Sequence, residues 1–151
     1  MGMKMVETIV CMVRSGGGML AAQDRAIEMA EQNDCQLVFL HIVNTNELDL
    51  DNEVLCKAAS EEMTWLGNMT LSLVQKRASL EGIQAKTELR YGSLFEEARD
   101  FLIEKRANRL FLGSPYPYVE NFEEKMRRIR RFADRIVQET GIPVDIVVAD
   151  K

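Results

Sequence analysis

Apolar and polar residues follow one another along this chain in two rhythms, and the switches between the rhythms mark out its elements. Thr8-Ile9-Val10-Cys11-Met12-Val13 is a continuous apolar run, the pattern of a short strand buried on both faces. Arg14-Ser15-Gly16-Gly17-Gly18 breaks it. Helical spacing follows, with Leu20, Ala22, Ala26, Ile27, Met29 and Ala30 predicted to line one side and Gln23, Asp24, Arg25 and Glu28 mainly the other. Asn33-Asp34 stops this helix, and Gln36 to Val43 reads as a second buried strand. Strand, helix and strand in so little chain form a βαβ unit, which closes with parallel strands.

Asn44 to Asp51 is polar and offers Asp49 and Asp51 as helix N-caps. A long helix is predicted beyond it, with Leu55, Ala58, Glu62/Met63, Leu66, Met69, Leu73, Arg77 and Leu80 recurring at three and four, and with Gly82 as its stop. Ile83, Ala85, Thr87 and Leu89 alternate with Gln84, Lys86, Glu88 and Arg90, as in an edge strand with one wetter face. Gly92-Ser93 opens a third helix, where Ser93 and Glu96 have the spacing of a capping box. Leu94, Phe95, Ala98, Phe101 and Leu102 are its inward positions. Leu110-Phe111-Leu112 is a short buried strand closed by Gly113-Ser114-Pro115. The last helix is predicted from about Glu120 to Thr140, with Phe122, Met126, Ile129, Ala133, Ile136 and Val137 facing the core. Gly141 and Pro143 punctuate its exit, and Val144 to Ala149 is the final strand.

This alternation implies an α/β fold with a doubly wound, five-stranded parallel sheet, and the edge character of the third strand agrees with the order 3-2-1-4-5. The switch point of such a sheet lies between strands one and four, and ligands of open α/β sheets bind just beyond the strand ends at that point. Here those ends are Val13 to Gly18 and Leu112 to Tyr118. With 151 residues and neither repeat nor linker, residues 1–151 are expected to form a single domain.

Composition narrows the class. The apolar share of 46% and the charged share of 28% are ordinary for a globular domain. A net charge of −5 argues against nucleic acid and anionic membrane as partners. Cys11, Cys35 and Cys56 are odd in number and lack a C-x-x-C spacing, so reduced, packed thiols are expected rather than disulfides or zinc. No targeting segment and no span-length apolar run is visible, and a soluble cytoplasmic protein is the expectation.

The chain resembles the universal stress protein family along essentially its whole length. The pieces are Ile9-Val10-Cys11-Met12-Val13 entering a Gly/Ser turn, Leu40-His41-Ile42-Val43, and Gly92-Ser93 before the third helix. Ala107-Asn108-Arg109-Leu110-Phe111-Leu112-Gly113-Ser114 is similar to the family's Ala-Asp-Leu-Ile-Val-Met-Gly-Ser, and Ile142-Pro143-Val144 to its Cys-Pro-Val. The resemblance implies a Rossmann-like fold of the adenine nucleotide alpha hydrolase type, a role in stress response or signalling without enzymatic activity, and a homodimer. It also implies a binding set at the crevice: Val13, Arg14, Ser15, Gly16, Ile42, Leu112, Gly113, Ser114 and Tyr116.

Family members that bind ATP carry Gly-x-x-Gly, nine residues and then Gly-Ser or Gly-Thr, because small residues let backbone amides approach phosphates. This sequence departs from that pattern. Gly113 matches the first glycine and Tyr116 stands at the second. Counting forward puts Met126 and Arg127 at Gly-Ser, whereas counting back from Pro143 puts Arg130 and Arg131 there. Many binders also end strand one with Val-Asp, where this chain has Val13-Arg14. Binding of ATP in the usual manner is therefore not expected. The alternative is a divergent adenine-nucleotide-binding or nucleotide-hydrolysing protein in which Arg14 and Arg130 or Arg131 hold phosphate through guanidinium forks.

Other candidates are weaker. Ser15-Gly16-Gly17-Gly18 is similar to the Ser-Gly-Gly-x-Asp-Ser loop of PP-loop ATP pyrophosphatases, but Met19 and Leu20 occupy the Asp and Ser positions. The run Lys125 to Arg131 reads as a solvated helix face in which Glu123 and Glu124 can pair with Arg127 and Arg128. His41 sits at a strand end with no acid or thiol near it in sequence, as a packed or capping residue would. Tyr116 and Tyr118 can fill or cover the crevice. The final strand has unpaired backbone groups at a sheet edge and is the expected dimer contact; a small anionic molecule is the expected ligand class.

Overall fold

The continuous apolar runs become the inner strands of one parallel sheet. The structure is a computed structural model and describes residues 6–14, 20–44 and 52–149. In chain order its elements are β1 (Thr8–Met12), α1 (Leu20–Asn33), β2 (Gln36–Val43), α2 (Glu53–Leu80), β3 (Lys86–Tyr91), α3 (Leu94–Glu104), β4 (Arg109–Gly113), α4 (Phe122–Thr140) and β5 (Val144–Val147). The strand order is β3-β2-β1-β4-β5, all parallel, as the sequence pattern predicts.

β1 lies at the centre, with Val10 in register with Val38 on one side and Leu110 on the other. Successive side chains of a strand point to opposite faces, and the core divides accordingly. Ile9, Cys11 and Val13 join Phe39 and Phe111 beneath α1 and α2, through Ala22, Ala26, Leu71, Val74 and Ala78. Val10 and Met12 join Leu40, Ile42, Leu110 and Leu112 beneath α3 and α4, through Phe95, Phe101, Leu102, Ala133 and Ile136. At the β3 edge Arg90 accounts for the wetter face. Its guanidinium donates to Glu88 at 3.0 Å and to Glu104 at 2.5 Å while lying 4.9 Å from the centre of the Phe101 ring.

The long helix is turned relative to the sequence expectation. Its buried positions are Gly67, Leu71, Val74 and Ala78, whereas Leu55, Leu66, Met69, Leu73 and Leu80 of the predicted core stripe are exposed. The physical reason is close approach. A Cβ on Gly67 would stand 2.6 Å from Cδ2 of His41 and 3.0 Å from Cδ1 of Leu89, so only a glycine lets α2 settle on β2 and β3 there. α1 differs as well. Leu20 is exposed, and Gln23 is buried, where its side-chain oxygen accepts from Arg77 of α2 at 2.8 Å.

Two predicted caps are replaced. Asn52, rather than Asp49 or Asp51, caps α2, its side-chain oxygen accepting from the amides of Val54 and Leu55; Asp49 and Asp51 lie outside the described residues. Ser93 occupies the N-cap of α3 in an extended conformation without a side-chain cap bond, so the capping box does not form. Gly82 and Gly141 follow their helices at φ of 81° and 72°, the left-handed geometry that favours glycine.

Two outcomes follow from this packing. Gly67→Ala should lower the stability measured by urea unfolding by about 1–3 kcal/mol, because overpacking against a pinned ring outweighs the better helix propensity of alanine. Burial pushes the Cys11 thiol up to about 12 from its usual 9.0. The unfolded chain then loses this proton first, and stability falls as pH rises from about 9 towards 12, by at most about 1.4 kcal/mol per unit from this group. Cys11→Ala should remove that part of the slope in unfolding experiments across pH 9–11.

Candidate functional site

The parallel pairing of β1 with β4 brings their carboxyl ends side by side, and the helices that follow them, α1 and α4, lie on opposite faces of the sheet. On the β1 side, the amide of Val13 donates to the carbonyl of Leu40 at 2.9 Å. Nδ1 of His41 lies 2.8 Å from the carbonyl of Val13, and since a carbonyl only accepts, this nitrogen carries the proton. Both main-chain polar groups of Val13 are therefore held by β2. Arg14 follows and is exposed. Ser15 and Gly16, with Gly17 and Gly18, lie outside the described residues.

On the β4 side, Gly113 continues the parallel ladder opposite Val147. Ser114 is completely buried. Its amide donates to the carbonyl of Val147 at 3.0 Å, its hydroxyl donates to the carbonyl of Pro115 at 3.1 Å, and the same oxygen accepts from the amide of Ala149 at 2.8 Å. This side chain fastens the exit of β4 to the segment after β5. Pro115-Tyr116-Pro117-Tyr118 then forms an aromatic step. The Tyr116 and Tyr118 rings stack with centres 5.3 Å apart and planes 6° from parallel, Tyr116 half-buried and Tyr118 exposed.

The remaining candidates divide by face. Ile42 and Leu112 are buried in the core beneath α3 and α4, so their side chains are spent on packing. Arg130 and Arg131 stand exposed on α4, whose inner face is Met126, Ala133 and Ile136. Among the described residues, Arg14, Arg130 and Arg131 take part in no ion pair. Of the expected helix pairs, Arg128 meets Glu124 at 2.9 Å. The structure thus gathers Val13, Gly113, Ser114 and Tyr116 around the ends of β1 and β4, and leaves the arginines as exposed charges. His41 has the capping role that its place at a strand end suggests, whereas the tie from Ala149 to Ser114 is not foreseen from the sequence. A histidine directly after Leu40, whose carbonyl accepts from the amide of Val13, is a visible signal for the first; nothing local signals the second. Among the described residues no cluster of three His, Cys, Asp or Glu side chains could hold a metal, and no helix is long and apolar enough to cross a membrane.

A parallel sheet of this order, with its switch point between β1 and β4, defines a Rossmann-like α/β fold. The chain belongs to the universal stress protein family, whose model matches residues 5–147. No curated protein matches it in sequence. Among solved structures it is similar to the universal stress protein UspA from Lactobacillus plantarum, at 15% identity and a TM-score of 0.71 over 93% of this chain and 97% of that one. It is also similar to a universal stress protein from Arabidopsis thaliana solved with AMP bound, at 12% identity and a TM-score of 0.65 over 95% and 92% of the two chains. A third likeness is to the universal stress protein from Archaeoglobus fulgidus in complex with dAMP, at 15% identity and a TM-score of 0.57 over 96% and 99%.

Ser114→Ala should cost about 1–3 kcal/mol in urea unfolding, because the Ala149 amide is left buried without its partner. The measured midpoint should fall with an unchanged denaturant dependence.

Proposed function

We propose that this protein is a non-enzymatic universal stress protein acting in the cytoplasm as a binding or signalling module, and that it does not hold ATP in the family's usual manner. The observation that carries this reading is the aromatic step after β4. Main-chain amides can cradle phosphates only where side chains are absent or small. Here Tyr116 stands at the position of the second glycine and stacks on Tyr118, while the hydroxyl of Ser114 is bound within the chain. These residues do not fit a triphosphate cradle.

A second reading is supported by the exposed arginines. Two family structures similar to this one hold AMP and dAMP, each with one phosphate. A single phosphate needs one guanidinium fork rather than a glycine-lined loop. Arg14 with Arg130 or Arg131 would supply it. The homodimer is proposed to form through β5, which lies at a sheet edge beside β4 with its outer backbone groups unpaired.

A thermal-shift series with ATP, ADP and AMP, each with and without Mg²⁺, tests both readings, since a ligand that prefers the folded state raises its melting temperature in a concentration-dependent way. The first reading expects no ATP-dependent shift and fails if ATP stabilises the protein at submillimolar concentration. The second expects a salt-sensitive shift with AMP that Arg131→Glu abolishes.

A further inference from the structure

Most of the large apolar residues of the α2 stripe that the sequence reads as core lie on the outside, with Trp65 beside them. Leu55, Trp65, Leu66, Met69, Leu73 and Leu80 are exposed, Trp65 by 61% and Leu73 by 64%. They lie on the side of the helix opposite Gly67, Leu71, Val74 and Ala78, which rest on the sheet. An exposed, largely apolar strip of this kind, interrupted only by Glu62 and Lys76 and rimmed by polar residues, marks an interaction surface. At 28 residues the helix is about 42 Å long.

Its spacing says what kind of surface it is. Leu66, Met69, Leu73 and Leu80 fall on the a and d positions of a seven-residue repeat, and so do Leu55, Glu62 and Lys76. That is the seam of a helix that pairs with another helix. Its charge says which helix. On the seam itself Glu62 stands in the amino-terminal half and Lys76 in the carboxyl-terminal half, one charge of each sign. A seam with its charges so placed complements a copy of itself running the opposite way.

We infer that α2 docks antiparallel on α2 of a second copy of this chain, about a twofold axis at Met69. Glu62 and Lys76 each stand seven residues from Met69, so each Glu62 faces Lys76 of the second copy. Trp65 and Leu73 each stand four residues away and meet across the seam. Neither Glu62 nor Lys76 has a hydrogen bond or ion pair among the described residues. Arg77, by contrast, is turned away from the seam to Asp24 and Gln23 of α1. The contact is isologous, as closed dimers require. It is independent of the β5 edge, because α2 packs over β2 and β3, towards the other end of the sheet.

Sedimentation equilibrium of the full chain and its variants tests the inference. Leu66→Glu/Leu73→Glu should halve the mass, from dimer to monomer if α2 is the one contact, or from tetramer to dimer if β5 pairs as well. Glu62→Lys and Lys76→Glu should each weaken association several-fold through like-charge opposition, and the double variant Glu62→Lys/Lys76→Glu should restore it. All four side chains are exposed, so circular dichroism and melting of the dissociated species should match a folded domain. A monomeric parent, an unchanged mass in the Leu66/Leu73 variant, or charge reversals that fail to rescue one another would each overturn the α2 contact. A mass that halves only on substitution in β5 would overturn it and leave the β5 dimer standing.

Discussion

The structure depends on the burial of β1 from both sides. Ile9, Val10, Cys11 and Val13 are each at most 1% exposed and Met12 is 5% exposed, so this strand must be covered by helices above and below and by strands at left and right. Once β2 and β4 flank it, α1 and α4, the helices that follow β1 and β4, lie on opposite faces of the sheet. That change of face makes the β1/β4 ends the switch point of the sheet. Cys11, at the centre of the strand, is completely buried, and that burial pushes its thiol up to about 12.

The architecture was legible because its signals are local. Unbroken apolar runs at Ile9–Val13 and Leu37–Leu40 can only be inner strands, and the alternation from Ile83 to Arg90 belongs to an edge. The face of α2 was not legible, for a definite reason. That helix carries two apolar stripes, and the bulkier one, through Leu66, Met69 and Leu73, is the one that stays outside. The buried stripe contains Gly67 and Ala78, whose small size invites close packing but adds little hydrophobicity. Periodicity weighs apolar mass, whereas packing on a sheet rewards fit.

The candidate site was legible in position and less so in role. Sequence order alone placed Val13, Gly113, Ser114 and Tyr116 at neighbouring strand ends. It could not show that the Ser114 hydroxyl is engaged by Ala149, 35 residues onward, because that bond exists only once β5 lies beside β4. The same holds for His41, whose ring meets both the carbonyl of Val13 and the bare face of Gly67. Ile42 and Leu112, near the crevice by sequence, point into the core because of strand parity, which a one-residue difference in register would have reversed.

The bond between Ser114 and Ala149 also changes what the carboxyl-terminal end of the domain is. Ala149 is buried and anchored to Ser114 at the exit of β4, so the chain beyond it starts from a fixed post. A pull or a fused segment acting on that stretch would be felt first at the exit of β4, beside the paired tyrosine rings, making that stretch a mechanical handle on the aromatic step.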